Sequence, residues 1–183
     1  MRVAAMLAFG LGIMASPASS PAQHRELGAH EHGQGTLNVA VEGNRVTMEL
    51  EVPGADIVGF EHAARTRQQK AAVEKAKKQL LAPQELFKLP GAAGCTVGAA
   101  NVELESGGHD DTKKGEHKDA HSEFHAQYTF DCQMPASLTS IEFDYFRTFA
   151  GAQRLNVNVI TPKGQTKFEV SRRKPRIDLA GMM

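Results

Sequence analysis

Apolar residues alternate with polar ones along much of this chain, the pattern of half-buried β-strands. Over 36–41, Leu37, Val39 and Val41 share one face, and over 45–52 so do Val46, Met48, Leu50 and Val52. Gly43-Asn44 between the runs is a two-residue hairpin signal. Pairing Glu42 with Arg45 sets Val41 opposite Val46, Val39 opposite Met48 and Leu37 opposite Leu50. A slip of one residue would turn this apolar set to solvent, so the register is well specified.

The same style returns later. Leu155, Val157 and Val159 alternate, and Pro162-Lys163-Gly164-Gln165 turns the chain. Pairing Pro162 with Gln165 brings Phe168 and Val170 opposite Val159 and Val157. Between these regions, 96–104 and 124–130 read as strands. On the second, Phe124, Ala126, Tyr128 and Phe130 face inward, and His121, Glu123, His125 and Gln127 face outward. Matching apolar faces across this pair puts Cys132 inside and Cys95 outside, so a bulge or another partner strand is needed if the two are to meet. Ile141 and Phe143 suggest a further strand, and 145–150 a short helical turn.

One segment is helical. Pro53 and Gly54 break the second strand, and a loop follows through Asp56, Phe60, Glu61 and His62. Thr66 and Gln69 then form a capping-box signal, and Val73, Ala76 and Leu80 make a narrow apolar stripe suited to lying on a sheet, with Pro83 as the stop. The expected fold is mainly β (α+β): one antiparallel, sandwich-like domain with an inserted amphipathic helix. A disordered histidine-rich loop is expected at 106–121, and a flexible basic tail at 172–183.

Composition narrows the setting. Residues 1–22 read as a signal peptide: Arg2, a short apolar run over 3–14, and small residues at Ser20-Pro21-Ala22. The run is too short for a permanent membrane span, and no other segment is apolar enough, so no membrane insertion is expected. The domain then covers 23–183. With 21 basic and 21 acidic residues the chain is balanced, which favours neither nucleic acid nor an anionic membrane surface. Cys95 and Cys132 are the only cysteines, and in an oxidising compartment they are expected to form a disulfide, worth about 3 to 4 kcal/mol in the chain-entropy model. A thiolate metal pair is the weaker alternative, since the spacing is unlike CxxC.

The candidate chemistry is metal binding. Of eight histidines, His109, His117, His121 and His125 lie close together, interleaved with Asp110, Asp111, Glu116, Asp119 and Glu123. Imidazole and carboxylate are the donors that divalent transition metals prefer. His117, His121 and His125 are four apart, which places them on one face of a helix or a strand and would converge them on one ion. The plain alternative is a solvated charged loop that happens to contain histidine. His30 and His32 precede the first strand; if it extends backward they share its polar face with Gln34, Thr36 and Asn38, and an ion there needs donors from elsewhere. His62 beside Glu61 is an ordinary surface pair unless the loop carries it to His30 and His32. GxSxG, HExxH and GxxxxGK[ST] are absent, and a mobile loop of surplus ligands suits capture better than catalysis, so no enzyme is expected.

The segments AHEHGQGTLNVAVEGN (29–44), LEVPGADIVGFEHAA (50–64) and RLNVNVITPKGQ (154–165), with the insertion between, resemble the ZrgA-like family. These are small periplasmic proteins of Gram-negative bacteria, expressed under zinc limitation, that bind zinc and assist its high-affinity uptake. The resemblance implies a site role for His30, His32, Glu61 and His62, which sit in its two signature motifs, and zinc ligation by the insertion's histidines. Gln34 stands where a further His is common, and Ala64 where Pro is common.

The leading expectation is therefore a periplasmic protein that captures or buffers Zn²⁺ and passes it toward the periplasmic component of a zinc ABC transporter. Two alternatives stay open. Copper or nickel handling uses the same donors, although Met48, Met134 and the terminal pair are few methionines for cuprous copper. The other is an envelope protein-interaction module in which the histidines are incidental.

Overall fold

The first hairpin forms in the expected register. The computed structural model describes residues 32–106 and 121–183; His30 and, in the insertion, His109, Asp110, Asp111, Glu116, His117 and Asp119 lie outside them, as does the segment 1–22 expected to be a signal peptide. β1 (Gln34–Glu42) and β2 (Arg45–Pro53) pair with Val41 opposite Val46, Val39 opposite Met48 and Leu37 opposite Leu50. The chain then coils into α1 (Gly54–Val58), where the sequence suggested only a loop. Gly59, at φ +84, ends this turn in the left-handed conformation that glycine adopts without steric cost.

α2 (Arg67–Leu80) begins on the expected capping box, the Thr66 hydroxyl accepting from the Gln69 N–H while the Gln69 side chain accepts from the Thr66 N–H. It buries Val73, Ala76 and Leu80. Pro83 does more than stop this helix. It opens α3 (Pro83–Leu86), in the first turn, where a missing N–H costs nothing. β3 (Phe87–Lys88), β4 (Cys95–Ser106), β5 (Ser122–Cys132), β6 (Ser140–Phe143), α4 (Tyr145–Thr148), β7 (Arg154–Thr161), β8 (Gly164–Ser171) and β9 (Arg176–Asp178) follow.

Six strands form one sheet in the order β4-β5-β2-β1-β7-β8, and β3, β6 and β9 form a smaller one. The protein is mainly β, with two sheets and few helices. Neighbours are antiparallel except β1 and β7, which run parallel: β2 already holds one edge of β1, and β7 takes the other after the crossover through β6 and α4. The inner face of the large sheet presents Leu37, Val39, Met48, Leu50, Phe124 and Tyr128, all buried. Phe87 joins the layers, its ring 5.9 Å from Tyr128 and 5.8 Å from Phe143. A side chain of this size contributes about 1.5 to 3 kcal/mol when fully buried.

A bulge resolves the cysteine conflict. From Ala99 onward the apolar faces of β4 and β5 match, as in Val102 opposite Ala126 and Leu104 opposite Phe124; the register then shifts between Val97 and Ala99, and Cys95 falls opposite Cys132. The surplus residue is Gly98, where a side chain would meet the Asp131 carboxylate. The disulfide Cys95–Cys132 forms there.

Two expectations need correction. The β7–β8 hairpin closes on Thr161 opposite Gly164, not Pro162 opposite Gln165, so Val157 faces Phe168 and Leu155 faces Val170. Gly164 takes φ +139, and the Thr161 hydroxyl accepts the Lys163 N–H, which holds a two-residue turn one position earlier, over Pro162 and Lys163. The difference is two residues, so the faces are preserved. Residues 172–183 are not a loose tail either. β9 pairs with β6, Ile177 and Leu179 are buried, and the Arg172 guanidinium donates to the carbonyls of Phe146, Phe149, Ala150 and Ala152.

Candidate metal centre

The start of β1, the end of β2 and the start of β5 lie at one end of the large sheet, and two conformational devices bring their flanking residues together. The first is at Gly33, whose φ of +83 turns the chain away from strand geometry. His32 therefore sits on a turn, not on a backward extension of β1. The Gly33 N–H donates to Asp56 of α1 at 2.7 Å, and its carbonyl accepts from the N–H groups of Gln153 and Arg154. The second is a main-chain bond from the Ser122 N–H to the Glu61 carbonyl at 2.8 Å, which ties the segment after α1 to the start of β5 and brings His121 beside Glu61.

One carboxylate results with two imidazoles. Glu61 Oε1 lies 3.4 Å from His32 Nδ1, and Glu61 Oε2 is in hydrogen-bond contact with His121 Nδ1. The Glu61 side chain is 14 % exposed, those of His32 and His121 70 % and 58 %, so the carboxylate lies beneath and the rings above. A carboxylate accepting an imidazole Nδ1–H fixes the tautomer that leaves Nε2 with a lone pair, the usual arrangement behind a metal-binding histidine.

Asp56, mentioned in the sequence only as a loop residue, supports this arrangement. It is 4 % exposed, and burial holds its carboxyl above the ordinary aspartate range, against the Gly33 N–H and His32, which draw it down, and with Glu61, which pushes it further up. Its Oδ2 has no hydrogen-bond partner among the described residues, nor do the hydroxyls of Tyr128 and Tyr145. Burial raises both phenols, and the Asp56 carboxylate adds to the shift at Tyr145. Gly151 closes over the helix, since a methyl group there would lie 2.6 Å from the Asp56 carbonyl oxygen. Asp56 lies inside the signature segment LEVPGADIVGFEHAA, but only Glu61 and His62 of that segment were read as site residues, because an acid two positions after Pro53-Gly54 has nothing in its local pattern to set it apart from a loop carboxylate.

The remaining candidates are placed elsewhere. His62 makes other contacts: its ring stacks on Phe60 at 5.1 Å, Nδ1 donates to the Ala63 carbonyl and Nε2 accepts from Gln69. His125 Nε2 lies 3.1 Å from Glu123 Oε2 and 3.6 Å from Glu105 Oε2 on the outer face of β4–β5. Glu123, expected on the outward face, has a side chain only 11 % exposed, and it lies opposite Pro53 at the end of β2.

The expected convergence of the spaced histidines fails for the two that are described. His121 meets Glu61, whereas His125 meets Glu123. Four residues of extended chain span about 13 Å, too far for one ion with bonds of about 2 Å. Among the described residues no three such donors already surround a common point. No helix among them is long and apolar enough to cross a membrane.

None of the curated proteins matches this chain. The family model described as ZrgA family zinc uptake protein matches residues 29–179, a span that takes in both signature segments, the insertion and both cysteines. The chain belongs to the ZrgA family of zinc uptake proteins.

Proposed function

We propose that this protein binds Zn²⁺ in the periplasm, captures or buffers it there, and assists its high-affinity import, as a binding protein and not an enzyme. The observation that carries this reading is the Glu61 carboxylate lying beneath the two exposed imidazoles of His32 and His121. Glu61 holds the Nδ1 protons, and the ion takes Nε2 of each ring. Zinc completes four-coordination with donors adjacent in sequence: His30 two positions before His32, and Asp119 or His117 before His121. The other donors of the insertion, His109, Asp110 and Asp111, raise the local cation concentration and feed this site. The ion then passes to the periplasmic component of a zinc ABC transporter.

Competition titration against a chromophoric zinc chelator tests this on wild type, Glu61→Gln and Glu61→Ala. Wild type should bind more tightly than micromolar. Glu61→Ala should weaken binding about 10- to 100-fold, as removal of a carboxylate behind a ligating histidine does, and Glu61→Gln by less, since its carbonyl still accepts one N–H. Wild-type affinity no tighter than micromolar would make the capture role wrong.

A further inference from the structure

We infer, on the reading that zinc binds above Glu61, that the loop 149–153 between α4 and β7 is the seat that sets His32 there, with Gly151 and Arg172 as positioning residues. Neither of the two supplies a ligand.

His32 depends on such a seat. Its side chain is 70 % exposed, so little packing holds the ring, and its place follows from the main chain of Gly33 at φ +83. Both polar groups of that main chain are gripped. The N–H donates to Asp56 Oδ1 at 2.7 Å, and the carbonyl accepts from the N–H groups of Gln153 at 3.0 Å and Arg154 at 2.8 Å. Gln153 also covers the turn with its side chain, since a Cβ on Gly33 would lie 3.1 Å from Gln153 Cδ. One side of the grip is Asp56 and the other is the end of the loop.

The loop fixes both sides. Gly151 lies against the main chain of Asp56: a Cβ there would stand 2.6 Å from the carbonyl oxygen and 2.9 Å from Cα, and neither atom yields unless α1 moves. Gly151 is not one of the glycines with positive φ, so close approach is what requires glycine at this position. The loop has no regular structure to stiffen it, and its carbonyls turn to Arg172 instead. The guanidinium donates to Phe149 at 3.1 Å, Ala150 at 2.9 Å and Ala152 at 2.8 Å, and to Phe146 in α4, while the Arg172 N–H donates to the Gln153 carbonyl at 3.3 Å. Only arginine has the donors in a fixed fork for so many acceptors. Contacts therefore run unbroken from Arg172 through the loop to Asp56 and Gly33, and from Gly33 to His32. Zinc tolerates little error at the far end, because a nitrogen bonded at about 2.0 to 2.1 Å is lost to the ion when the turn shifts by an ångström or so.

The test is zinc affinity of the full chain, measured by competition with a chromophoric chelator in wild type, Gly151→Ala, His32→Ala and the double variant, with amide exchange at Gly33 followed in the metal-free proteins. Gly151→Ala adds one methyl group and removes no side-chain hydrogen bond. It should speed Gly33 exchange at least about tenfold and weaken zinc binding about 10- to 100-fold, the range for groups that orient a ligating histidine. In the His32→Ala background the same substitution should cost less than about twofold, since the ligand it positions is gone. Arg172→Lys should act in the same direction by a smaller factor, and carries the same cycle if Gly151→Ala does not fold. An equal loss in both backgrounds would mean that the loop does not act through His32, and unchanged Gly33 exchange or unchanged zinc affinity in Gly151→Ala would likewise overturn the seat; in each case the proposed function stands. If His32→Ala alone leaves zinc affinity unchanged, His32 is no ligand, and the site above Glu61 and its seat both fail.

Discussion

Asp56 and Gly33 are 23 positions apart, and the carboxylate of the first accepts the main-chain N–H of the second at 2.7 Å inside the protein. This bond fixes the turn that carries His32, and its loss leaves a buried donor unsatisfied. Asp56→Ala should therefore lower stability by about 1 to 3 kcal/mol and weaken zinc binding, because His32 is no longer held over Glu61. Denaturant unfolding and zinc competition on the same variant check both. Lower stability with unchanged zinc affinity would show that His32 does not depend on this turn.

The same carboxyl makes stability depend on pH. Its pKa is raised in the folded protein, mainly by burial, so the folded state holds the proton more tightly than the unfolded one. Its contribution is then fully present below the ordinary aspartate value of about 3.9 and is lost as pH rises through the raised value. Asp56→Asn cannot ionise and should flatten the fall in stability on the alkaline side of that value. Denaturant midpoints across mildly acidic to neutral pH, with metal chelated, would show this, and parallel curves for the two proteins would contradict it.

The Cys95–Cys132 bond closes a span of 37 residues. Replacing both cysteines by serine should cost about 3 to 4 kcal/mol and lower Tm by about 10 °C, measured by calorimetry. A loss below about 1 kcal/mol would mean that the edge strand β4 is held by its pairing with β5 alone.

Arg172 should matter to stability although it lies at the surface. Its guanidinium satisfies carbonyls in and after α4, where the last carbonyls of a helix have no partner of their own. Arg172→Ala should destabilise the protein by about 1 to 3 kcal/mol, and Arg172→Lys should recover only part, since one ammonium cannot span the same set of acceptors. Full recovery by lysine would assign the effect to charge alone.

Much of the fold was legible because the apolar period is regular. The β1–β2 register and the Thr66–Gln69 capping box form as read. The parallel placement of β7 on β1 was not legible, since no local pattern records which edge a distant strand will take. Nor was β9 within a basic segment, because Ile177 and Leu179 are too few to show a period. At the candidate site the histidine motifs singled out His32, Glu61 and His121, yet the partnership depended on the Gly33 turn and the Ser122–Glu61 bond, both long-range. Spacing also suggested that His121 and His125 converge, whereas the extended strand separates them.

Zinc binding above Glu61 is tested most directly by a crystal structure of the protein with zinc, the ion located by anomalous scattering. A peak is expected about 2.0 to 2.1 Å from Nε2 of both His32 and His121, with Glu61 on the Nδ1 side of each ring. Zinc bound elsewhere, with both of these imidazoles free, would contradict it.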